Sequence, residues 1–409
     1  MGPLAGIKII DMTSVLMGPY ATLQLADMGA DVIKVEAPEG DLVRQIPPAL
    51  HPGMGALFLN ANRNKRSICL DLKQPAGRAA LLQLAADADA LVYNVRPQAM
   101  ARLGLDYETV AQVNAGIIYA GMFGFAQEGP YAARPAYDDL IQGGAVLSSL
   151  IAQAGDGVPR YVPTAIVDRV VGLAAVGAIC ATLVNRARTG RGQRVDIPMF
   201  ETMVGFVLGD HLGGLTFEPP LDRGGYPRQL SSERRPYRTA DGYVCPMVYN
   251  DKQWTNFLAA VGLSDLPERD PRFATFEARS ANIDHVYGEL ARIFTTRTTA
   301  EWLELLERAD VPFMPLHDLA SILDDPQLAA TGFFQLVEHP TEGPVRVMRM
   351  PTTWSQTPAE IRRLAPRCGQ DGDAILREAG FSEEAIGRLR AAGVLTGGEA
   401  EPTENPDGF

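Results

Sequence analysis

The 409-residue chain is 46% hydrophobic and 21% charged, with 37 basic against 49 acidic side chains and a formal net charge of −12. Its length exceeds what one hydrophobic core ordinarily fills, so more than one domain is expected, and collagenous, disordered and disulfide-stapled classes are excluded. The acidic balance argues against a nucleic-acid or anionic-membrane partner, because either calls for a basic surface.

The N-terminus has no basic segment followed by an apolar one, as a signal peptide would, so a cytoplasmic protein is expected. Residues 6–11 read as a buried strand. Gly18-Pro19 then opens a helix that Met28-Gly29 closes. Further strands are predicted at 31–36, 67–72, 90–94 and 116–122, with a helix at 76–86, and this alternation predicts an α/β fold with a parallel sheet. Two helices are expected at 138–150 and 168–188. The apolar stretch 170–184 within the second is shorter than the roughly 18 residues a membrane span needs, and predicts a buried helix. A strand at 193–197 follows.

Between 212 and 236 the chain is rich in Gly, Pro and Arg and reads as a linker. Ala240-Asp241-Gly242 between two β-like runs marks a hairpin, and helices at 253–261, 283–294 and 299–310 complete a small α+β domain over residues 225–330. Strands near 334–338 and 345–349 and two helices return the chain, over 331–396, to the large domain begun in 1–212. Residues 397–409 read as a mobile acidic tail.

The first strand-to-helix turn, Thr13-Ser14-Val15-Leu16-Met17-Gly18-Pro19, lacks the G-x-G-x-x-G that lets backbone approach a pyrophosphate, which argues against a nicotinamide dehydrogenase. No P-loop or HExxH is present. Four cysteines with no CxxC pair suggest neither zinc nor a disulfide framework, and read as buried reduced thiols. The five histidines are never within five residues of one another and read as surface or internally satisfied groups. Basic residues cluster at Arg63-Asn64-Lys65-Arg66, at Arg96 with Arg102, and from Arg186 to Arg194. Each cluster suits either a phosphate site or a solvated helix end, and the third reads as a helix C-terminus closed by Gly190. Asp168 follows the apolar run Ala165-Ile166-Val167 and precedes a helix. It is either the helix N-cap or an ionised carboxylate at the helix mouth, competent to attack an activated carbonyl.

The order of several fragments resembles the class III CoA-transferases, the family of formyl-CoA transferase and the carnitine and bile-acid CoA-transferases, with α-methylacyl-CoA racemases as relatives. The fragments are 4–11, 25–36, Asn64-Lys65-Arg66-Ser67-Ile68, Leu70-Asp71-Leu72-Lys73, Tyr93-Asn94-Val95-Arg96-Pro97, Thr189-Gly190-Arg191-Gly192-Gln193 and Ala240-Asp241-Gly242-Tyr243-Val244, spread over nearly the whole chain.

The resemblance implies a Rossmann-like large domain with a small α+β domain, two chains interlocked as a homodimer, and transfer of CoA from an acyl-CoA to a free carboxylic acid. It makes Asp168, which ends Pro163-Thr164-Ala165-Ile166-Val167-Asp168, the covalent nucleophile, with no metal or redox cofactor and with coenzyme A or acyl-CoA as substrate. CoA contacts are implied at Leu16, Met17, Leu70, Asp71, Leu72, Lys73, Asn94, Val95, Arg96 and Arg102. Tyr137 and Asp138 are expected near the reaction, Asp138 either as a hydrogen-bonding support or in catalysis. The racemases carry histidine as a base where this chain has Tyr137, whose ordinary pKa of about 10 suits that role poorly, so transfer is favoured over racemisation, with a non-catalytic CoA-binding protein as a further alternative. Two departures stand out. Ala37 replaces an arginine near the adenine, for which Arg44 is a candidate substitute. The glycine-rich loop is reduced to Gly224-Gly225, flanked by Arg223, Arg228, Arg234 and Arg235 as candidate acceptor ligands.

Overall fold

The computed structural model describes residues 2–398; the acidic tail expected from 397 lies outside them apart from Gly397 and Gly398. The chain divides into two compact units. A sheet unit takes the residues up to Ala145, Val162–Gly205 and the chain from Gln327, and a smaller unit takes Val146–Tyr161 and Phe206–Pro326.

In the sheet unit, strands β1 (Lys8–Met12), β2 (Asp31–Glu36), β3 (Lys65–Leu70), β4 (Ala90–Tyr93), β5 (Ile118–Phe123) and β6 (Gln193–Pro198) pair in parallel in the order β3-β2-β1-β4-β5-β6. The short β12 (Leu395–Thr396) adds an antiparallel edge beside β3. This is the doubly wound order, in which the chain reverses direction across the sheet between β1 and β4. Parallel strands covered on both faces carry near-continuous apolar runs, and β4 and β5 are buried along their whole length. Ile10, Ile33, Ile68 and Leu91 join one core with Leu81 and Leu84 from the helix Pro75–Ala85 and with Ile375, Leu376 and Ile386 near the C-terminus.

Alternate positions on β1, β2 and β3 carry charge instead. Asp11, Lys34 and Lys65 are fully or almost fully buried. The Lys65 ammonium donates to Asp11 at 3.0 Å, to the Pro19 carbonyl and to Asn62. Burial alone would favour a neutral acid, yet Lys65 and Lys34 hold Asp11 at about 2. The same burial pushes Lys65 down to about 8.

Helix α1 (Met17–Asp27) follows β1 and packs on the 24-residue helix α8 (Ile166–Thr189). Gly172 makes the crossing possible: a Cβ there would stand 3.0 Å from the Met17 carbonyl oxygen and 3.0 Å from the Tyr20 ring. Helix α8 is long and apolar enough to pass for a membrane span by composition, but the expectation of a buried helix holds for one face only. Val171, Gly172, Ala175 and Ile179 are buried, while Leu173 and Val184 are 53% and 61% exposed. The helix ends as expected, with Arg186 and Arg188 in its last turn and Gly190 left-handed at φ 71°.

Three expectations are corrected. The single helix over 138–150 is two, Asp138–Gly144 and Leu147–Ala154, because Gly143-Gly144 is a poor helix former and Val146 turns left-handed at φ 71°. Residues 146–161 and 206–224, assigned to the large domain or the linker, belong to the smaller unit, where Leu147–Ala154 packs on the short helix Pro227–Leu230. Arg63, Lys65 and Arg66 are internal ion-pair partners of Asp27, Asp11 and Asp31, leaving none of them for a phosphate.

The smaller unit carries an antiparallel sheet in which β8 (Tyr243–Pro246) lies between β7 (Tyr237–Arg238) and β9 (Phe313–Pro315). Its core gathers Trp254, Phe257, Phe294 and Trp302 from the expected helices. Back in the sheet unit, β10 (Phe334–His339) and β11 (Gly343–Met348) form a hairpin.

Candidate active site

A cleft of about 450 Å³ opens at the carboxyl ends of β1, β4 and β5, across the point where strand order reverses. Open α/β sheets bind ligands at that position, because the loops leaving neighbouring strands diverge there. The volume is that of an ordinary small-molecule site.

The loop after β1 forms one wall with Ser14, Val15, Leu16 and Met17. Val15 is left-handed at φ 70°, costly for a β-branched residue, and a buried chain of bonds holds it. Its N–H donates to Asp41 at 3.0 Å, and Asp41 accepts from the Lys34 ammonium at 2.9 Å, which also donates to the Thr13 carbonyl at 2.9 Å. Asn94, after β4, clasps the same loop: its amide donates to the Ser14 carbonyl at 2.8 Å, and its carbonyl accepts from the Ser14 N–H at 3.1 Å. Val95, Arg96 and Arg102 continue that wall, the last two exposed.

The opposite wall carries Asp168, Tyr137 and Asp138. Asp168 is not the N-cap. Helix α8 starts at Ile166 and its cap is Ala165, which has no side chain to accept a bond. Asp138, first residue of the helix Asp138–Gly144, fills that role from outside: its carboxylate accepts from the Asp168 N–H at 3.0 Å. Gln142, fully buried, donates to the other Asp138 oxygen at 2.6 Å and accepts from the Val162 N–H at 2.8 Å. Asp138 therefore holds Asp168 in place through the main chain. Burial, with the Asp138 charge beside it, pushes the Asp168 carboxyl up to about 7, while neighbouring Arg169 opposes the shift. Tyr137 is 67% exposed.

The cleft thus brings together Leu16, Met17, Asn94, Val95, Arg96, Arg102, Tyr137, Asp138 and Asp168. Leu70, Asp71, Leu72 and Lys73 lie at and just beyond the end of β3, outside its lining. The Leu70 side chain is buried in the core, and Asp71 accepts from the Lys73 N–H. Arg44 cannot serve as an adenine ligand, because Glu36 binds it through two bonds of 2.7 Å and its guanidinium stacks on Phe58. Arg228 and Arg235, in the smaller unit, bond Tyr287 and Glu233.

Sequence reading missed Arg134. It lines the cleft with its guanidinium over the Tyr131 ring at 4.0 Å, and, like Arg96 and Arg102, it has no acidic partner among the described residues. The pair Tyr131 and Arg134, three residues apart in an irregular loop, was the available signal.

Fold and cleft together define the class: an α/β protein presenting two partly buried carboxylates, Asp138 and Asp168, and three arginines without an acidic partner among the described residues at the switch point of a doubly wound sheet. The model of CoA-transferase family III matches residues 4–372, and the chain belongs to that family. It is an enzyme that transfers CoA. It is 32% identical to human succinyl-CoA:glutarate CoA-transferase over 96% of this chain and 90% of that one, and 32% identical to the formyl-CoA:oxalate CoA-transferase of Streptomyces coelicolor over 96% and 99%. The crystal structure of a CAIB/BAIF family protein from Brucella suis superposes with a TM-score of 0.79 at 32% identity, covering 92% of this chain and 99% of that one.

Proposed function

We propose that the protein is a cytoplasmic, dimeric acyl-CoA:carboxylate CoA-transferase that works through covalent intermediates on Asp168. The observation that carries this reading is the Asp168 carboxylate, lining the switch-point cleft with no cation bonded to it among the described residues and its main chain pinned by Asp138. The ionised carboxylate attacks the donor thioester carbonyl; the C–S bond breaks, and CoA leaves as thiolate from a mixed aspartyl anhydride. The thiolate returns to the Asp168 carbonyl, releasing the donor acid and leaving an aspartyl-CoA thioester. The acceptor carboxylate then repeats the two steps in reverse order, and Asp168 is regenerated. No net proton transfer is needed.

Arg96, Arg102 and Arg134 suit the phosphates of CoA, to which guanidinium groups make charge-assisted bonds. Leu16, Met17 and Val95 offer apolar wall to its pantetheine arm. Leu70 to Lys73 remain proposed contacts on the neighbouring strand end. Relatives named for glutarate and oxalate make a dicarboxylic acid the first acceptor to test.

The test is transfer from succinyl-CoA to a panel of isotopically labelled acids including glutarate and oxalate, alongside incubation of a 2-methylacyl-CoA in deuterated buffer without an acceptor. The proposal expects label in the CoA fraction with at least one acid and no α-deuteration. Deuterium uptake without transfer would replace it with racemisation.

A further inference from the structure

The cysteines, read from their spacing as buried reduced thiols with no partner suggested, are not all apart. Cys69, near the end of β3, and Cys368 are 299 residues apart in sequence, and their sulfur atoms stand 2.6 Å from each other, inside van der Waals contact, as free thiols. Independent bonds fix the backbone on both sides. The Gly369 N–H donates to the Ser67 hydroxyl at 2.9 Å, the Asp371 N–H to the Ser67 carbonyl at 2.9 Å, and the Pro366 carbonyl accepts from Arg44 at 3.1 Å. Gly369 is left-handed at φ 67°, and a Cβ there would lie 2.5 Å from the Thr396 carbonyl oxygen and 3.3 Å from the Cys69 Cβ, so the segment is pressed onto β3.

Glu36 also lies within 4.8 Å of both sulfurs, which gives the three residues the outline of a metal site. Its carboxylate is already occupied by two bonds from Arg44 and one from Ser67, so the two thiols are left to each other. Burial differs across the pair: Cys69 is 1% exposed, and Cys368 is only partly covered. One hydrogen bond joins the two thiols; sharing a proton favours ionisation of one sulfur over the other, and Cys368 is the one held below the ordinary thiol range. Cys368 is thus the less covered and the more readily ionised of the two, and thiolate character with exposure sets which cysteine an oxidant meets first.

We propose that Cys69 and Cys368 are a reversible oxidation site, taking hydroperoxides as its reactant class and yielding an intramolecular disulfide. The Cys368 thiolate attacks the peroxide; the O–O bond breaks, sulfur takes the OH as a sulfenic acid, and the alkoxide or hydroxide leaves to be protonated by water. The Cys69 sulfur then attacks the Cys368 sulfur, the S–O bond breaks, and the Cys69 proton leaves with the departing hydroxide as water. The net change is two thiols and ROOH to one disulfide, ROH and H₂O. Pre-positioning makes the second step effectively unimolecular, which outruns further oxidation of Cys368. A small dithiol reverses the reaction by exchange.

The test is titration of the full-length protein with hydrogen peroxide, blocking of free thiols with iodoacetamide, and non-reducing peptide mapping. The expected product is one crosslinked pair containing Cys69 and Cys368, about 2 Da lighter than the two reduced peptides, with Cys180 and Cys245 alkylated and the link removed by dithiothreitol. In Cys368→Ser no crosslink forms and Cys69 is spared at the same dose. The oxidised wild type melts at a higher temperature than the reduced one, because a bridge closing so long a loop restricts the unfolded chain; Cys368→Ser shows no such oxidant-dependent change. Conversion of Cys368 to sulfinic or sulfonic acid without a linked peptide, or both thiols alkylated after excess peroxide, overturns the proposal.

Discussion

At Asp168 two requirements conflict. A nucleophile must be ionised, yet burial and the adjacent Asp138 charge favour the protonated form and raise its pKa to about 7. The raised value means that the reactive carboxylate accumulates as pH rises through 7, so kcat/KM for the acyl-CoA half-reaction should climb through an apparent pKa near 7 and level off above it. Asp138→Asn removes the neighbouring charge while keeping an oxygen to accept the Asp168 N–H. It should shift that limb to lower pH and still leave it above an ordinary aspartate, since burial is the larger cause. An unmoved profile would show that the titrating group is not Asp168. Arg134→Ala should raise KM for acyl-CoA roughly 10- to 100-fold, the scale of one lost charge-assisted bond, with little change in kcat; an unchanged KM would return Arg134 to the solvent. At Asp168 the local pattern, an Asp after an apolar run, offered an N-cap as readily as a nucleophile; the cap reading fails because α8 already begins at Ile166, and it was the resemblance that singled the residue out. Its pairing with Asp138 across 30 residues, and the consumption of Arg44 by Glu36, are products of tertiary packing that local spacing does not encode.

Among the elements, the contact of α1 with α8 sets where Asp168 projects, since both helices begin at the cleft. Gly172 is the hinge of that contact, and Gly172→Val adds methyl groups against the Met17 carbonyl and the Tyr20 ring. Overpacking of this kind costs about 1–3 kcal/mol, so thermal unfolding should shift down and activity should fall with it. A variant as stable and active as wild type would remove the crossing from the account. Strand periodicity and the Gly and Pro punctuation of α1 were readable because they follow from backbone geometry. The break at Val146 was not, since an apolar β-branched residue gives no signal for a left-handed turn. The two extra residues that begin α8, Ile166 and Val167, were missed for a related reason: the oxygen that caps this end comes from another helix.

For the whole molecule, the net charge of −12 coexists with three arginines that have no acidic partner among the described residues around one cleft, so attraction for a polyanionic substrate is local and should weaken as salt rises. Helix α8 also presents Leu173 and Val184 to solvent, three turns apart on one face, which suits burial against a second copy. Light scattering should give roughly twice the 44.1 kDa of the chain, and Leu173→Glu should reduce it; a wild-type monomer at micromolar concentration would contradict the dimer. The parallel α/β class was legible in the alternating pattern, whereas the strand order and the approach of Cys69 to Cys368 depend on how the chain, up to residue 398, returns to β3. The central claim, that acyl transfer passes through Asp168, is tested most directly by mixing enzyme with acyl-CoA, quenching with hydroxylamine and sequencing the modified peptide by mass spectrometry. The account predicts a hydroxamate on Asp168 that forms only with donor present, and that is lost together with transfer in Asp168→Ala, by on the order of 10⁴-fold or more. An unmodified Asp168, or transfer at near wild-type rate in Asp168→Ala, would contradict it.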